Sequence, residues 1–153
     1  MTAQQSKNPA VTVDLIIQKG SQVLSVIRKN EPFKGYLSLP GGFVDEGERV
    51  EDAAKREAKE ETSLDVQINA ILGVYSDPKR DPRRPTVSVV FIGTVSENHM
   101  PEAIAQDDAE EIEWLDLERI ENKIFGFDHK QILLDYRAWR TTNGTFWSSK
   151  TRI

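Results

Sequence analysis

The sequence predicts an α/β (α+β) fold in which a mixed β-sheet is sandwiched between α-helices. Three observations carry this expectation. Segments of β-type and helical character interleave from the start of the chain instead of separating into two halves. Two early β segments lie close enough to pair as a hairpin, so the sheet cannot be all parallel. The length, 153 residues, suits a single domain over 1–153 and allows roughly two-thirds of the unfolded surface to be buried without staples.

The elements follow in order. Residues 1–9 show no periodicity and are expected to be flexible. Residues 11–17 read as a strand, and after a turn at Lys19-Gly20 residues 23–28 read as its hairpin partner. Residues 30–47 hold two prolines and four glycines around a short apolar piece, 36–39. Helical propensity then runs from 49 to 62. Two β-rich segments follow at about 66–75 and 87–95, separated by SDPKRDPRRP, whose three prolines forbid a regular ladder and mark a loop. Residues 112–117 read as a strand, and 128–140 as a helix with Asp128 as its N-cap. There is no internal repeat, linker or low-complexity segment.

Composition removes several classes of function. The chain has 20 Lys and Arg against 25 Asp and Glu, a net charge of -5. Such an acidic chain is not expected to bind nucleic acid, which runs on clustered cations that neutralise phosphates. Cysteine is absent, which excludes disulfides, thiolate metal sites and a cysteine nucleophile. The start MTAQQSKNPA has no apolar core of a signal peptide, and no run of about 18 apolar residues occurs. No membrane partner and a cytoplasmic location are expected.

The helix at 49–62 is wrong for a purely structural helix. Projected at about 100° per residue, Val50, Ala53 and Ala54 form a stripe, and Glu57 and Glu61 fall within about 30° of its centre, with Glu60 about 70° away. Two carboxylates one turn apart thus point where packing should continue. Like charges at this spacing destabilise a helix by about 0.2–0.5 kcal/mol in water, and burial adds to that. Two compensations are open: raised pKa values with shared protons, or a bound cation. Oxygen ligands alone select a hard ion, Mg²⁺ first and Mn²⁺ or Ca²⁺ behind it. A charged surface helix is the plainer alternative.

The spacing around this helix weighs against the plainer alternative. From Gly42 the chain reads five residues, Glu48, seven residues, Arg56-Glu57-Ala58, one residue, Glu60-Glu61, one residue, Ser63, Leu64, directly after Leu39-Pro40-Gly41. This resembles the Nudix box, the signature of hydrolases that cleave a nucleoside diphosphate linked to another moiety. Ser63 stands where the family pattern has Gly; a residue with a Cβ in a left-handed cap costs about 1 kcal/mol, so a strained or reshaped helix end is expected. The resemblance implies a Nudix fold and implies that Glu57, Glu60 and Glu61, with the Gly41 carbonyl, hold Mg²⁺ or Mn²⁺. It also implies that Arg56 pairs with Glu48 and orients the carboxylates. Such ions neutralise phosphate oxygens, acidify the attacking water and stabilise the leaving phosphate.

The proline loop concentrates four bases against one acid in residues 79–84. With the TVSVVF that follows, it looks like the SDPxRDPR stretch of ADP-ribose pyrophosphatase members of the family, and Pro78 meets that group's proline about 15 residues beyond the box. Guanidinium groups on a stiff backbone suit phosphate, so Arg80 and Arg83 are the expected substrate contacts, with Arg28 and Tyr36; Leu37 stands where relatives often carry Trp. The NADH and coenzyme A pyrophosphatase flanks are not recognisable, and the Nudix isomerases use a cysteine this chain lacks. Several relatives place a catalytic carboxylate shortly before a strand containing Trp. Here the acidic run 107–111 precedes Trp114, and Asp108 and Glu111 are the candidate bases, although a solvated acidic loop explains the run equally well. His129 is expected to make a local hydrogen bond.

The resemblance therefore implies Mg²⁺-dependent hydrolysis of ADP-ribose, or a related ADP-sugar, to AMP and ribose 5-phosphate. The alternatives are a house-cleaning nucleoside triphosphate pyrophosphohydrolase and a non-catalytic ADP-ribose sensor. Trp139 and Trp147 leave aromatic surface that a homodimer could cover.

Overall fold

In the computed structural model, which describes residues 8–95 and 109–152, the sheet grows from one hairpin. Strand β1 (Ala10–Lys19) turns at Gly20, whose φ of 59° is a left-handed value, into antiparallel β2 (Gln22–Arg28). Two short strands follow, β3 (Leu37–Ser38) and β4 (Gly41–Phe43), then helix α1 (Val50–Thr62). Strands β5 (Gln67–Tyr75), β6 (Thr86–Thr94) and β7 (Ala109–Asp116) precede a 3-10 turn at Leu117–Arg119, helix α2 (His129–Thr142) and a last strand β8 (Phe146–Trp147). The strand order is β3-β2-β1-β6-β5-β8, with β4 added to β1 and β7 to β2. Pairs β1–β6 and β5–β8 are parallel and the others antiparallel, so the sheet is mixed, as expected.

Strand β1 is central because both of its faces are buried. Val13, Leu15 and Ile17 pack with Ala53, Ala54 and Ala58 of α1, whereas Ile16 packs with Ile132, Leu133 and Tyr136 of α2. The period-2 alternation of a strand thus sends alternate residues to opposite helices. Each such aliphatic side chain contributes roughly 1.5–3 kcal/mol on full burial. The alanines on α1 let the helix approach the sheet closely. Thr12 and Asp14 share the face of Ile16 by the same alternation, and two polar groups there are out of place for packing alone.

Several local expectations are answered at the helix ends. Ser63 caps α1 in the left-handed region, with φ 66° and ψ 7°, and its N–H donates to the Lys59 carbonyl. Asp128 holds the N-cap position of α2, but its side chain makes no capping bond, because Arg80 claims it. Strands β4 and β8 and the 3-10 turn were not anticipated; each has only two or three residues, too few to show a period. Trp139 packs against the core and stacks on Tyr136 at 5.9 Å, while Trp147 stays 48% exposed. So Trp147 alone of the two remains aromatic surface. Among the described residues no helix is long and apolar enough to cross a membrane.

Candidate active site

Helix α1 and strand β4 meet at a pair of glycines. Strand β4 pairs antiparallel with β1, placing Gly42 opposite Val13 and Gly41 opposite Asp14. A Cβ on Gly42 would lie 2.6 Å from the Glu57 carboxylate, and one on Gly41 would lie 2.1 Å from the Val13 carbonyl and 2.7 Å from Asp14 Oδ1. Each glycine thus makes room for a carboxylate, and the two carboxylates lie on opposite faces of the strand.

The acidic face of α1 is compensated in a way the projection did not include. Glu61 is 4% exposed and its Oε2 accepts the Gly41 N–H at 2.9 Å. Arg56 lies among the remaining acids. Its Nη1 donates to Glu57 at 2.9 Å and Glu60 at 3.2 Å, while Nε and Nη2 grip Glu48 at 2.8 and 3.0 Å. Its Nη2 also reaches the Phe43 carbonyl at 3.1 Å, tying the helix to β4. The Arg56 bonds, followed by the Asp45 N–H, hold the Glu48 carboxyl down at about 2. A guanidinium and a backbone N–H therefore offset part of the charge on the acidic face of α1. The expected Arg56–Glu48 pair is present and bidentate, the stronger geometry for such pairs.

Among the described residues, no three His, Asp or Glu side chains converge closely enough to form a ready ligand shell. The chemistry of the donors nonetheless fits a hard divalent cation: Glu57, Glu60 and Glu61 offer only oxygen, on adjacent turns. The space that Gly42 leaves at the Glu57 carboxylate fits the same purpose.

On the other face of β4 lies a small cleft. Its floor is a buried polar network. Asp14 accepts from Ser88 Oγ at 2.5 Å, lies 3.3 Å from His129 Nε2 and is reached by Arg80 Nη2 at 3.4 Å. Burial pushes the Asp14 carboxyl up, but His129, Arg80 and Ser88 outweigh it and hold it at about 2. His129 Nδ1 accepts the Leu39 N–H at 2.9 Å, so the ring carries a proton on Nε2, facing Asp14. The bond is far from local: it joins α2 to the segment before β4.

The basic loop is placed differently from the expectation. Arg80 is 6% exposed, and its donors are taken by Asp128 at 2.8 and 3.0 Å, by Thr86 at 2.8 Å and by Asp14. Burial opposes its charge, yet Asp128, Asp14 and Asp81 more than offset it and raise its pKa. Arg80 lines the cleft as a fixed part of the floor, where a guanidinium free to reach for phosphate had been expected. Arg83 is more open. It pairs with Asp81 at 2.8 and 3.0 Å and lies over the rings of Phe43, at 5.0 Å, and Phe127, at 5.8 Å. Arg28 also lines the cleft; its Nε donates to the Pro32 carbonyl at 2.7 Å and its guanidinium lies 5.1 Å from Phe127. Tyr36 is outside the cleft lining, 42% exposed and 5.6 Å from Phe33. Of the candidate bases, Glu111 is exposed on β7 opposite Ile27, and Asp108 lies outside the described residues.

Among the cleft residues that escaped the sequence reading are Thr12, Asp14, Phe43 and Phe127. Asp14 left a signal, being the one charged residue in the largely apolar run VTVDLII. Phe127 left none in sequence, although its φ of 53° marks it in the structure as a residue held in an unfavoured conformation. Thr12 Oγ1 is buried without a hydrogen-bond partner, alone in this among the described residues. An unsatisfied buried hydroxyl costs about 1–3 kcal/mol.

A mixed sheet between two helices, with a glycine strand presenting its edge to an acidic helix, is the architecture of a Nudix domain. The chain belongs to the Nudix family, whose NUDIX domain model matches residues 7–136. It is 48% identical over 133 residues to the ADP-ribose pyrophosphatase of Methanocaldococcus jannaschii, covering 87% of this chain and 76% of that protein. It is 32% identical over 132 residues to the ADPR responsive transcriptional repressor NtrR of Acinetobacter baylyi, covering 82% of this chain but 52% of the repressor. Among solved structures, the NUDIX domain of Shewanella oneidensis NrtR complexed with ADP ribose superposes with a TM-score of 0.77 at 26% identity, covering 92% of this chain and 94% of that one.

Proposed function

We propose that the chain hydrolyses the pyrophosphate bond of ADP-ribose, yielding AMP and ribose 5-phosphate. The observation that carries this reading is the 48% identity over 133 residues to a protein named ADP-ribose pyrophosphatase. The meeting of the box helix with the two glycines supports it. In this reading Glu57, Glu60 and Glu61, with the Gly41 carbonyl, hold a divalent cation, Mg²⁺ in preference and Mn²⁺ in its place. When bound, such a cation neutralises phosphate oxygens and acidifies the attacking water. Arg56, itself gripped by Glu48, fixes the Glu57 and Glu60 carboxylates against α1. Arg83, Arg28 and Tyr36 contact the substrate, while Arg80 acts through Asp14 and Asp128 by stiffening the cleft floor. Asp108 and Glu111 are the proposed proton acceptors for the attacking water. A homodimer and a cytoplasmic location belong to the same proposal.

A second reading, ADP-ribose binding without turnover, is favoured by the 32% identity to a transcriptional repressor. Incubation with ADP-ribose, NADH, diadenosine polyphosphates and dNTPs in Mg²⁺, with product analysis, separates the readings. Release of AMP and ribose 5-phosphate from ADP-ribose is expected, with loss of at least about 100-fold in kcat in Glu57→Gln/Glu61→Gln. Tight binding with no product supports the sensor. Activity that survives the double substitution rejects the assigned carboxylates.

A further inference from the structure

Asp81 is a carboxylate buried inside an otherwise basic loop. It stands between Arg80 and Arg83, and its side chain is 2% exposed where that of Arg83 is 42% exposed. A charge held away from water needs partners. Burial pushes the Asp81 carboxyl up, but the bonds and charge of Arg83, with the charge of Arg80, outweigh it and hold the carboxyl below its ordinary value. Among the described residues, its hydrogen bonds come from Arg83 alone. Oδ1 accepts the Arg83 N–H at 2.9 Å and Nε at 3.0 Å, and Oδ2 accepts Nη2 at 2.8 Å.

These bonds do two different things. The one from the Arg83 N–H closes a turn of the loop, as Asp side chains commonly do two residues on. The pair from Nε and Nη2 fixes the plane of the guanidinium, because a planar fork meets a carboxylate in one orientation. The rings of Phe43 and Phe127, at 5.0 and 5.8 Å, bound the same group. An arginine ordered in advance loses less freedom when it meets a ligand. Only one edge of this guanidinium is engaged: Nη1 makes no hydrogen bond among the described residues, and Arg83 lines the cleft. The other two arginines of the lining differ, since Arg80 is bonded to Asp128, Thr86 and Asp14, and Arg28 gives its Nε to the Pro32 carbonyl. We propose that Asp81 is a positioning residue, whose carboxylate holds one edge of the Arg83 guanidinium so that the remaining donors meet the substrate. The proposal rests on the reading above for the contact between Arg83 and substrate, but not on turnover.

The test is a double-mutant cycle with ADP-ribose on the wild type, Asp81→Asn, Arg83→Ala and the two combined. KM and kcat are measured for hydrolysis, Kd by calorimetry, and folding by thermal denaturation. Asparagine keeps an oxygen for the Arg83 N–H, so the turn survives, but it lacks the charge and the second acceptor that grip the fork. Asp81→Asn is expected to raise KM and Kd about five- to tenfold and to leave kcat within about threefold. In the Arg83→Ala background the same change is expected to move them less than about twofold, because the group it positions is gone. A carboxylate that only closes the turn or supports the fold weakens binding alike in both backgrounds, and that result overturns the proposal. So does a change in KM below about twofold in Asp81→Asn, or a loss confined to kcat. If Asp81→Asn does not fold, Arg83→Lys takes its place, since lysine keeps the charge without the fork. A KM raised at least about fivefold is then expected, and a smaller rise overturns the proposal. A wild type that binds ADP-ribose without hydrolysing it sinks the hydrolase reading, and the Kd cycle still decides on Asp81. A wild type that neither binds nor hydrolyses it overturns both.

Discussion

Asp14 shows how much one buried charge depends on its partners. Its carboxyl is displaced from the ordinary 3.8 to about 2 because His129, Arg80 and Ser88 outweigh burial. A depressed folded-state value means the ionised form is favoured by folding, so the stabilisation is fully present above the unfolded value. It disappears as pH falls through the folded one. The window therefore runs from about pH 5 down to about pH 2, and the displacement corresponds to about 2 kcal/mol. Denaturant titrations of the wild type and Asp14→Asn should differ most above pH 5 and converge by about 2 kcal/mol on acidification. A gap that does not change with pH would remove Asp14 from the acid response.

Strand β4 and the end of α1 are where backbone geometry sets the site. The two glycines make opposite predictions. In Gly41→Ala the new methyl meets the Val13 carbonyl, which cannot move without breaking the β1–β4 ladder. That variant should lose about 2–4 kcal/mol in urea unfolding. In Gly42→Ala the atoms nearest the methyl are those of the Glu57 carboxylate, the far end of a flexible side chain. It should fold with near-normal stability and lose more than about tenfold in kcat, because a small misplacement of a reacting group is costly. Equal effects on folding in both would contradict this division. At the other end of α1, Ser63 occupies a left-handed cap at φ 66°, so Ser63→Gly should raise the unfolding free energy by about 0.5–1 kcal/mol. Glycine's looser unfolded state offsets part of the relief.

Across the molecule, Arg80 joins the proline loop to β1, β6 and the start of α2 through Asp14, Thr86 and Asp128. A buried charge with this many partners stiffens the cleft floor, and its removal takes the guanidinium from Asp128 and one of three partners from Asp14. Arg80→Met should cost about 3–5 kcal/mol in thermal or chemical unfolding. It should also raise the Asp14 carboxyl, shifting acid sensitivity to higher pH. A loss below about 1 kcal/mol would mean that the network adds little to the fold.

The box was legible in the sequence because it is contiguous. Its spacing from Gly42 to Leu64 and the carboxylate stripe on α1 follow from 3.6-residue periodicity, which needs no knowledge of the partner surface. The major strands were legible too, because alternation and turn residues mark them locally. The cleft was not. The hydrogen bonds of its floor join residues separated in sequence by 48 between Arg80 and Asp128, 74 between Asp14 and Ser88, and 90 between Leu39 and His129. Charge counting read Arg80 as a cation for substrate, whereas the fold supplies its counter-ions from distant segments and buries it. Composition and local spacing therefore specified the class of chemistry and the helix that holds it. Tertiary packing decided which charges are spent inside the protein, since that is not a property of any short segment.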